Sequence, residues 1–170
     1  MTRYVIGLDA GTTNLREADH LLVALAAELV LPEGVFGCTH LVRGDRPRVA
    51  LSFTLPSEAT LRAAREGLAA KGYEATDGAP DAVGRAVLYP GVPELTGTVT
   101  VGQLLAGSAI DRVTVLGTPG VPAADLPLIT RGHVRPGWQG PELVLAAVPA
   151  AGGTLVPFEV PDPTPCCADH

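Results

Sequence analysis

The 170-residue sequence predicts an α+β fold, because two amphipathic helical segments alternate with short apolar runs that favour β-strands. The hydrophobic share is 46% and the charged share is 18%, which is the composition of a globular chain. Glycine (20 residues) and proline (16 residues) are frequent, whereas aromatic residues make up 4% of the chain. We therefore expect short elements, many tight turns and a core of aliphatic side chains.

The first predicted elements are a strand and a long helix. Residues 3–8 form an apolar run, and the segment DAGTTN that follows has the chemistry of a turn and a helix cap. Leucine and alanine then recur at steps of three and four over residues 15–29, which is one face of an amphipathic helix. Pro32 and Gly34 end this helix.

The next elements complete a βαββαβ pattern. VFGCTHLV and RVALSFTL are two predicted strands, joined by RGDRP as a hairpin loop. Ser57 is a good N-cap for a second helix that ends at Gly72, and GRAVLYPG is the last strand of this half. The order over residues 1–90 predicts a split βαβ (ferredoxin-like) sheet with both helices on one face.

The second half, residues 91–160, is predicted to be β-rich. A short helix near residues 101–106 precedes a strand at 112–116, and LITRGHVR, ELVLAAV and TLVPFEV follow as hairpin-linked strands. A proline-rich tail with the motif CCxxH occupies residues 161–170. We interpret residues 1–170 as a single domain whose β-rich half extends or covers the first sheet. The alternative is a pseudo-duplicated layout of two subdomains.

The chain is acidic, with a formal net charge of −6 and a pI near 5.1. An acidic surface argues against binding to nucleic acid or to anionic membranes. The longest apolar stretch, LLVALAAELVL, is too short to span a bilayer, and the N-terminus lacks the features of a signal peptide. A cytoplasmic location is therefore expected, and in that reducing compartment cysteines serve as thiols or metal ligands.

The N-terminal segment YVIGLDAGTTNLR resembles the phosphate-binding first strand and loop of the superfamily of acetate and sugar kinases, actin and hexokinase. The resemblance implies that Asp9 orients metal-bound water and that Gly11, Thr12 and Thr13 hold nucleotide phosphate. The residues themselves leave an alternative open, in which a strand leads into a helix whose free N–H groups are capped by Thr12, Thr13 or Asn14.

A second candidate site is the segment TRGHVRPGW, in which Arg131, His133 and Arg135 alternate. In a strand, these three side chains emerge from one face, and two guanidinium groups beside an imidazole suit a carboxylate or phosphate ligand. Trp138 lies three residues after Arg135 and would form one wall of such a pocket. The alternative is a solvated face, with the arginines paired to local acids such as Glu142.

A third candidate site is formed by the cysteines. In the C-terminal CCADH, Cys166 and Cys167 have spacings from His170 that allow convergence on one ion, and Cys38 shares a strand face with His40. Zinc fits these nitrogen and sulfur ligands best, and copper(I) or iron(II) would be next. Three alternatives stay open: a tail without fixed structure, a buried apolar Cys38, and redox chemistry or a disulfide at the adjacent cysteines.

These observations predict a small cytoplasmic, metal-binding α+β protein whose metal is either structural or catalytic. A catalytic metal would act on a small anionic substrate held by Arg131 and Arg135. One alternative is a non-catalytic module that binds a small anion or assembles into homo-oligomers through its sheet. Another is a phosphate-binding protein that uses the N-terminal loop. The sequence contains no Ser-His-Asp spacing, Walker loop or HExxH motif, so it indicates no named class of enzyme.

Overall fold

The computed structural model describes residues 3–161. In chain order its helices and strands are β1 (Tyr4–Leu8), α1 (Leu15–Glu28), β2 (Phe36–Val42), β3 (Arg48–Leu55), α2 (Glu58–Ala70), β4 (Ala75–Asp77), β5 (Arg85–Leu88), β6 (Thr98–Thr100), α3 (Val101–Gly107), β7 (Arg112–Val115), β8 (Pro127–Ile129), β9 (Gly137–Gln139), β10 (Glu142–Ala150) and β11 (Thr154–Pro157). A 3₁₀ turn at Val92–Glu94 follows β5.

The chain divides into two compact units. The first contains the residues up to Pro90 together with Gly137–Glu142. The second contains Gly91–Pro136 and the chain from Leu143 onward. The first unit is therefore discontinuous in sequence, because strand β9 returns to it after a long segment of the second unit.

The first unit is a sheet with the strand order β4-β1-β3-β2-β5-β9, in which every pairing is antiparallel. Helices α1 and α2 cover one face of this sheet, since their buried side chains join the strand side chains of a single hydrophobic core. The fully buried members of this core include Ile6, Leu22, Leu25, Leu51, Phe53 and Leu68. Because strand side chains alternate, the remaining residues of these strands point to the other face.

The two helices begin and pack as their sequences predict. The Asn14 side chain accepts a hydrogen bond from Glu17 N and caps α1, and the Ser57 hydroxyl accepts one from Thr60 N and caps α2. The core positions that the spacing predicts belong to the core against the sheet: Leu15, Ala18, Leu22 and Leu25 in α1, and Leu61, Ala64 and Leu68 in α2. The helix starts, the capping by Ser57 and the α+β class are confirmed. Helix α1 ends at Glu28, before the predicted stop at Pro32 and Gly34, and α2 ends at Ala70, two residues before Gly72.

In the second unit, β10 is antiparallel to β11 and parallel to β7, β11 is parallel to β8, and β8 is antiparallel to β6. Thr100 and Gln103 form a capping box at the start of α3. The core of this unit is aliphatic, as the composition predicts; its fully buried side chains include Val101, Leu104, Val113, Leu128, Leu143 and Leu145.

The predicted split βαβ (ferredoxin-like) fold with a β-rich extension is wrong. Residues 3–161 contain eleven strands and three α-helices, and parallel as well as antiparallel pairs occur among the strands. The strand from GRAVLYPG, β5, does not close the sheet beside β1; it pairs with β2, and the place beside β1 belongs to β4. The error arises because β4 has only three residues and no apolar alternation that marks it as a strand.

A buried ion pair joins α1 to β5. Arg85 Nη1 and Nη2 donate to the two carboxylate oxygens of Asp19 at 2.7 and 3.0 Å, and Nη1 also donates to Thr39 Oγ1 at 3.1 Å. The side chains of Arg85 and Asp19 are 18% and 9% exposed. Loss of either partner would therefore leave a charge with little access to water.

Within residues 3–161, no helix has the length and apolar character needed to cross a lipid bilayer. The longest of these helices is α1, with 14 residues, and it carries Asp19 on its buried side. Its apolar face is used by the core of the first unit.

We expect Asp19→Ala to lower the free energy of unfolding by about 3 to 5 kcal/mol, because it leaves the Arg85 guanidinium buried without its carboxylate. Urea denaturation followed by far-UV circular dichroism measures the change. The matched control is Glu58→Ala, which breaks the solvent-exposed pair with Arg62 and should cost less than about 1 kcal/mol. Equal losses in the two variants would contradict a structural role for the buried pair.

Candidate functional site

A cavity of about 400 Å³ lies in the first unit, and its lining comes from the sheet residues that alternate with those of the helix-covered core. Arg3 and strands β1, β2 and β3 supply one part of this lining, and the loop between β4 and β5, strand β9 and Gly140 supply the rest. The polar and aromatic residues of the lining are Arg3, Phe36, Cys38, His40, Ser52, Thr54, Asp81 and Trp138.

Three of these side chains are connected by two short hydrogen bonds. His40 Nε2 lies 2.7 Å from Ser52 Oγ, and His40 Nδ1 lies 2.8 Å from Asp81 Oδ1. An ionised carboxylate only accepts hydrogen bonds, so Asp81 holds the imidazole in the tautomer that carries its proton on Nδ1. Nε2 is then the acceptor, and the Ser52 hydroxyl donates to it. We call this connected set the Ser52–His40–Asp81 relay.

The register of the β2–β3 hairpin brings two members of the relay together. His40 is paired with Ala50 and Cys38 with Ser52, so His40 and Ser52 are diagonal neighbours on one face of the sheet. Asp81 comes from the loop between β4 and β5 and reaches the far side of the imidazole. The relay therefore requires both the hairpin register and the path of this loop.

A glycine lets the loop pass close to strand β2. A Cβ atom at position 84 would lie 3.0 Å from Cys38 Cβ and 3.1 Å from His40 Cε1. The Asp81 carboxylate is fixed to the same loop, because its Oδ1 also accepts a hydrogen bond from Val83 N at 2.9 Å. A larger residue in place of Gly84 would therefore displace the thiol or the imidazole.

The relay extends from a buried hydroxyl to a carboxylate that reaches solvent. His40 and Ser52 are each 3% exposed, whereas the Asp81 side chain is 43% exposed. Among the described residues, every buried side-chain nitrogen and oxygen has a hydrogen-bond partner. Both ring nitrogens of His40 are thus occupied, and water reaches the relay at its Asp81 end.

Cys38 lies beside the relay, directly opposite Ser52 in the β2–β3 register. Burial raises the pKa of its thiol from 9.0 to about 11, and a hydrogen bond with Trp138 opposes part of this rise. The thiol therefore keeps its proton at neutral pH. In this state it is a poor nucleophile, because attack requires the thiolate, and a metal ion that bound it would displace its proton.

Aromatic and cationic groups complete the lining. The rings of Phe36 and Trp138 pack with centroids 5.6 Å apart and an angle of 51° between their planes. The guanidinium carbon of Arg3 lies 5.7 Å from the centroid of the Trp138 ring. The backbone N–H of Trp138 donates to Gly84 O at 3.0 Å, which joins β9 to the loop that carries Asp81.

The predicted metal ligands fall into two groups. Cys38 and His40 line the same cavity, as the strand alternation predicts. Cys166, Cys167 and His170 lie outside the described residues. Within residues 3–161, no three His, Cys, Asp or Glu side chains are grouped in a way that would hold a metal ion. Binding of zinc, copper or iron stays a prediction.

The predicted anion-binding residues belong to the second unit, where Arg131, His133 and Arg135 lie in a turn and the irregular segment after it rather than in a strand. Arg131 has a φ of 57°, and His133 N donates to Thr130 O at 3.1 Å. His133 Nε2 lies 2.6 Å from Glu159 Oε2, so the imidazole already has a carboxylate partner. Anion binding by these residues stays a prediction.

The N-terminal loop is connected to strand β3. Asp9 Oδ2 lies 2.9 Å from Arg48 Nε, and Asp9 Oδ1 accepts a hydrogen bond from Gly11 N at 3.0 Å. The Thr12 hydroxyl donates to Val49 O at 2.7 Å. The helix that follows is capped by Asn14, as in the alternative interpretation of this segment. Phosphate binding by Asp9, Gly11, Thr12 and Thr13 stays a prediction.

No sequence motif marks Ser52, Asp81 or Arg3, and none of the three was predicted to be a site residue. The hairpin carries one usable signal, since two strands joined by a short loop place His40 and Ser52 on the same face once their register is known. Asp81 carries no comparable signal, because a loop of irregular structure positions it.

We expect the free energy of unfolding to fall by roughly 2 to 3 kcal/mol between about pH 9 and pH 11. The unfolded thiol of Cys38 loses its proton near pH 9.0 while the folded one keeps it to about pH 11, so the unfolded state binds fewer protons in this window. Urea denaturation across this pH range measures the fall. Cys38→Ala is the control, and an equal slope in that variant would contradict the assignment to Cys38.

The chain was also compared with known proteins. Comparisons with models of protein families, with curated proteins and with solved structures find no match for this chain.

Proposed function

We propose that the first unit is a serine hydrolase for a small acyl substrate. Ser52 is the nucleophile, His40 is the general base and acid, and Asp81 orients His40. The observation that carries the proposal is the pair of hydrogen bonds of 2.7 and 2.8 Å that connects the three residues beside the cavity. A serine hydroxyl is a weak nucleophile until an adjacent base takes its proton, and this arrangement supplies that base.

Each step of the proposed reaction uses one of these groups. Ser52 Oγ attacks the acyl carbon while its proton moves to His40 Nε2, and the negative charge of Asp81 stabilises the imidazolium that forms. The bond to the leaving group breaks, and the leaving group takes the proton from Nε2. A water molecule then attacks the acyl-enzyme, with His40 again as base, and the carboxylic acid is released with Ser52 restored.

The cavity limits the size of the substrate. Its volume of about 400 Å³ lies at the lower end of the range for small-molecule sites, which favours a small acyl compound over a polymer. The aromatic rings of Phe36 and Trp138 supply apolar surface for the acyl or leaving group. All three residues of the relay line this cavity, so a substrate bound there would have its carbonyl group near the Ser52 nucleophile.

We expect a fluorophosphonate probe to form a covalent bond with Ser52, detected by intact mass and peptide mapping. Ser52→Ala should abolish the labelling, and His40→Ala should slow it by at least about a hundredfold because the general base is lost. The matched control is Ser108→Ala, which removes a hydroxyl bonded to Leu104 O in the second unit. This variant should be labelled at the wild-type rate.

Two further variants separate the roles within the relay. Asp81→Asn keeps the size of the side chain but removes its charge, and Gly84→Ala places a methyl group against the imidazole. Both should slow labelling while leaving the circular dichroism spectrum unchanged. Absence of labelling, or labelling at another residue, would contradict the hydrolase and favour a non-catalytic module that binds a small anion.

Metal binding is a second candidate function, favoured by the closeness of Cys38 and His40. The Cβ position at residue 84 lies 3.2 Å from Cys38 Sγ and 3.1 Å from His40 Cε1, so both side chains approach one point. Zinc would suit these ligands best, with Cys166, Cys167 and His170 as the further ligands. The two functions compete for His40, because a metal ion would replace Ser52 or Asp81 at one ring nitrogen.

Elemental analysis of protein purified without chelator or tag metal tests this candidate. Metal binding predicts near-stoichiometric zinc, copper or iron that vanishes in a variant lacking residues 166–170. The same variant should keep its labelling at Ser52 if the hydrolase proposal holds. Absence of metal from both proteins would contradict the metal site and leave the relay unaffected.

A further inference from the structure

The cavity contains one arginine without an acidic partner. Among the described residues that line it, Arg3 is the only arginine or lysine and Asp81 the only carboxylate, and Asp81 is bonded to His40. Arg3 forms no ion pair with a described carboxylate, in contrast with Arg48, which is paired with Asp9. The cavity thus offers a positive charge that no acidic side chain within residues 3–161 neutralises.

The position of the Arg3 guanidinium suits it to bind a planar anion. A guanidinium that stacks on an aromatic ring uses its flat face, and its N–H donors remain available along the edge. Arg3 lies over the ring of Trp138, and Phe36 packs against the same ring. The N–H donors of a guanidinium match the two oxygens of a carboxylate, so Arg3, which is exposed and lines the cavity, can bind this group through two hydrogen bonds.

We infer that the acyl substrate of the cavity carries a carboxylate group, which Arg3 binds while Ser52 attacks the acyl carbon; this inference rests on the proposed hydrolase function. A monoanion fits better than a phosphate dianion, because one guanidinium balances one negative charge and Asp81 already places another beside the cavity. The ligand class is therefore a small monocarboxylate whose ester or amide bond lies at the other end of the molecule.

The first arm of the test measures binding without catalysis. Trp138 is the only tryptophan of the chain and contacts the site, so its fluorescence reports binding directly. Hexanoate and hexanamide have nearly the same shape but differ in charge. At constant ionic strength, hexanoate should bind about tenfold more tightly to the wild type, and Arg3→Gln should remove this difference. Arg48→Gln is the control and should keep it.

The second arm measures turnover. The substrates are 4-nitrophenyl hexanoate and the mono-4-nitrophenyl ester of adipic acid, which differ in a terminal methyl or carboxylate group. The wild type should show a kcat/KM about tenfold higher for the adipate ester, and Arg3→Gln should reduce only this preference. Ser52→Ala should abolish the hydrolysis of both esters.

The two arms separate failure of the inference from failure of the hydrolase. Equal affinities for hexanoate and hexanamide, no binding of either, or a preference that survives in Arg3→Gln would overturn the inferred carboxylate site. Hydrolysis of both esters at equal kcat/KM through Ser52 would also overturn it, while the hydrolase would stand. Hydrolysis of neither ester would contradict the hydrolase, and the fluorescence titration alone would then decide the role of Arg3.

Discussion

The antiparallel register of the β2–β3 hairpin is the constraint on which both faces of the first unit depend. It places Leu51 and Phe53 in the helix-covered core and Ser52 beside Cys38 and His40 on the other face. A shift of one residue would exchange these sets, which would bury the Ser52 hydroxyl among the helices and expose Phe53 to the cavity. The hydrophobic core thus fixes the site, because the free energy of burying aliphatic and aromatic groups selects the register that also forms the relay.

Most of the first unit's elements were predictable because their signals are local. The helices have apolar positions at helical spacing and capping residues at their first turns, and the hairpin strands are long enough to show β-favouring runs. Strands β4 and β9 have three residues each, ATD and GWQ, with no alternation that distinguishes them from loops. Their places in the sheet depend on pairing with distant segments, and for this reason the predicted topology was wrong although its helices were right.

The same distinction separates the parts of the site. Cys38 and His40 share a face because side chains alternate along a strand, and this can be predicted without knowing the partner strand. Ser52 can be placed on the same face only when the hairpin register is known. Asp81 lies in an irregular loop, and Trp138 lies in the segment Gly137–Glu142, which follows the stretch Gly91–Pro136 of the second unit. No spacing in the sequence indicates that either residue belongs to the site. The paired cysteines and the alternating arginines are local patterns that the sequence alone displays, whereas the relay forms only through tertiary pairing of distant segments.

Two contacts hold the end of the loop that carries Asp81. On the helix side, Asp19 binds the Arg85 guanidinium at the first residue of β5, immediately after the loop. Within the plane of the sheet, the backbone N–H of Trp138 donates to the carbonyl oxygen of Gly84, the residue before Arg85. The end of the loop is therefore fixed by both contacts, and Gly84 has no side chain that would push it away from His40. A buried ion pair and a buried histidine each cost stability relative to close aliphatic packing. Both are retained beside the loop that precedes β5, where the ion pair fixes Arg85 and the imidazole contacts Asp81.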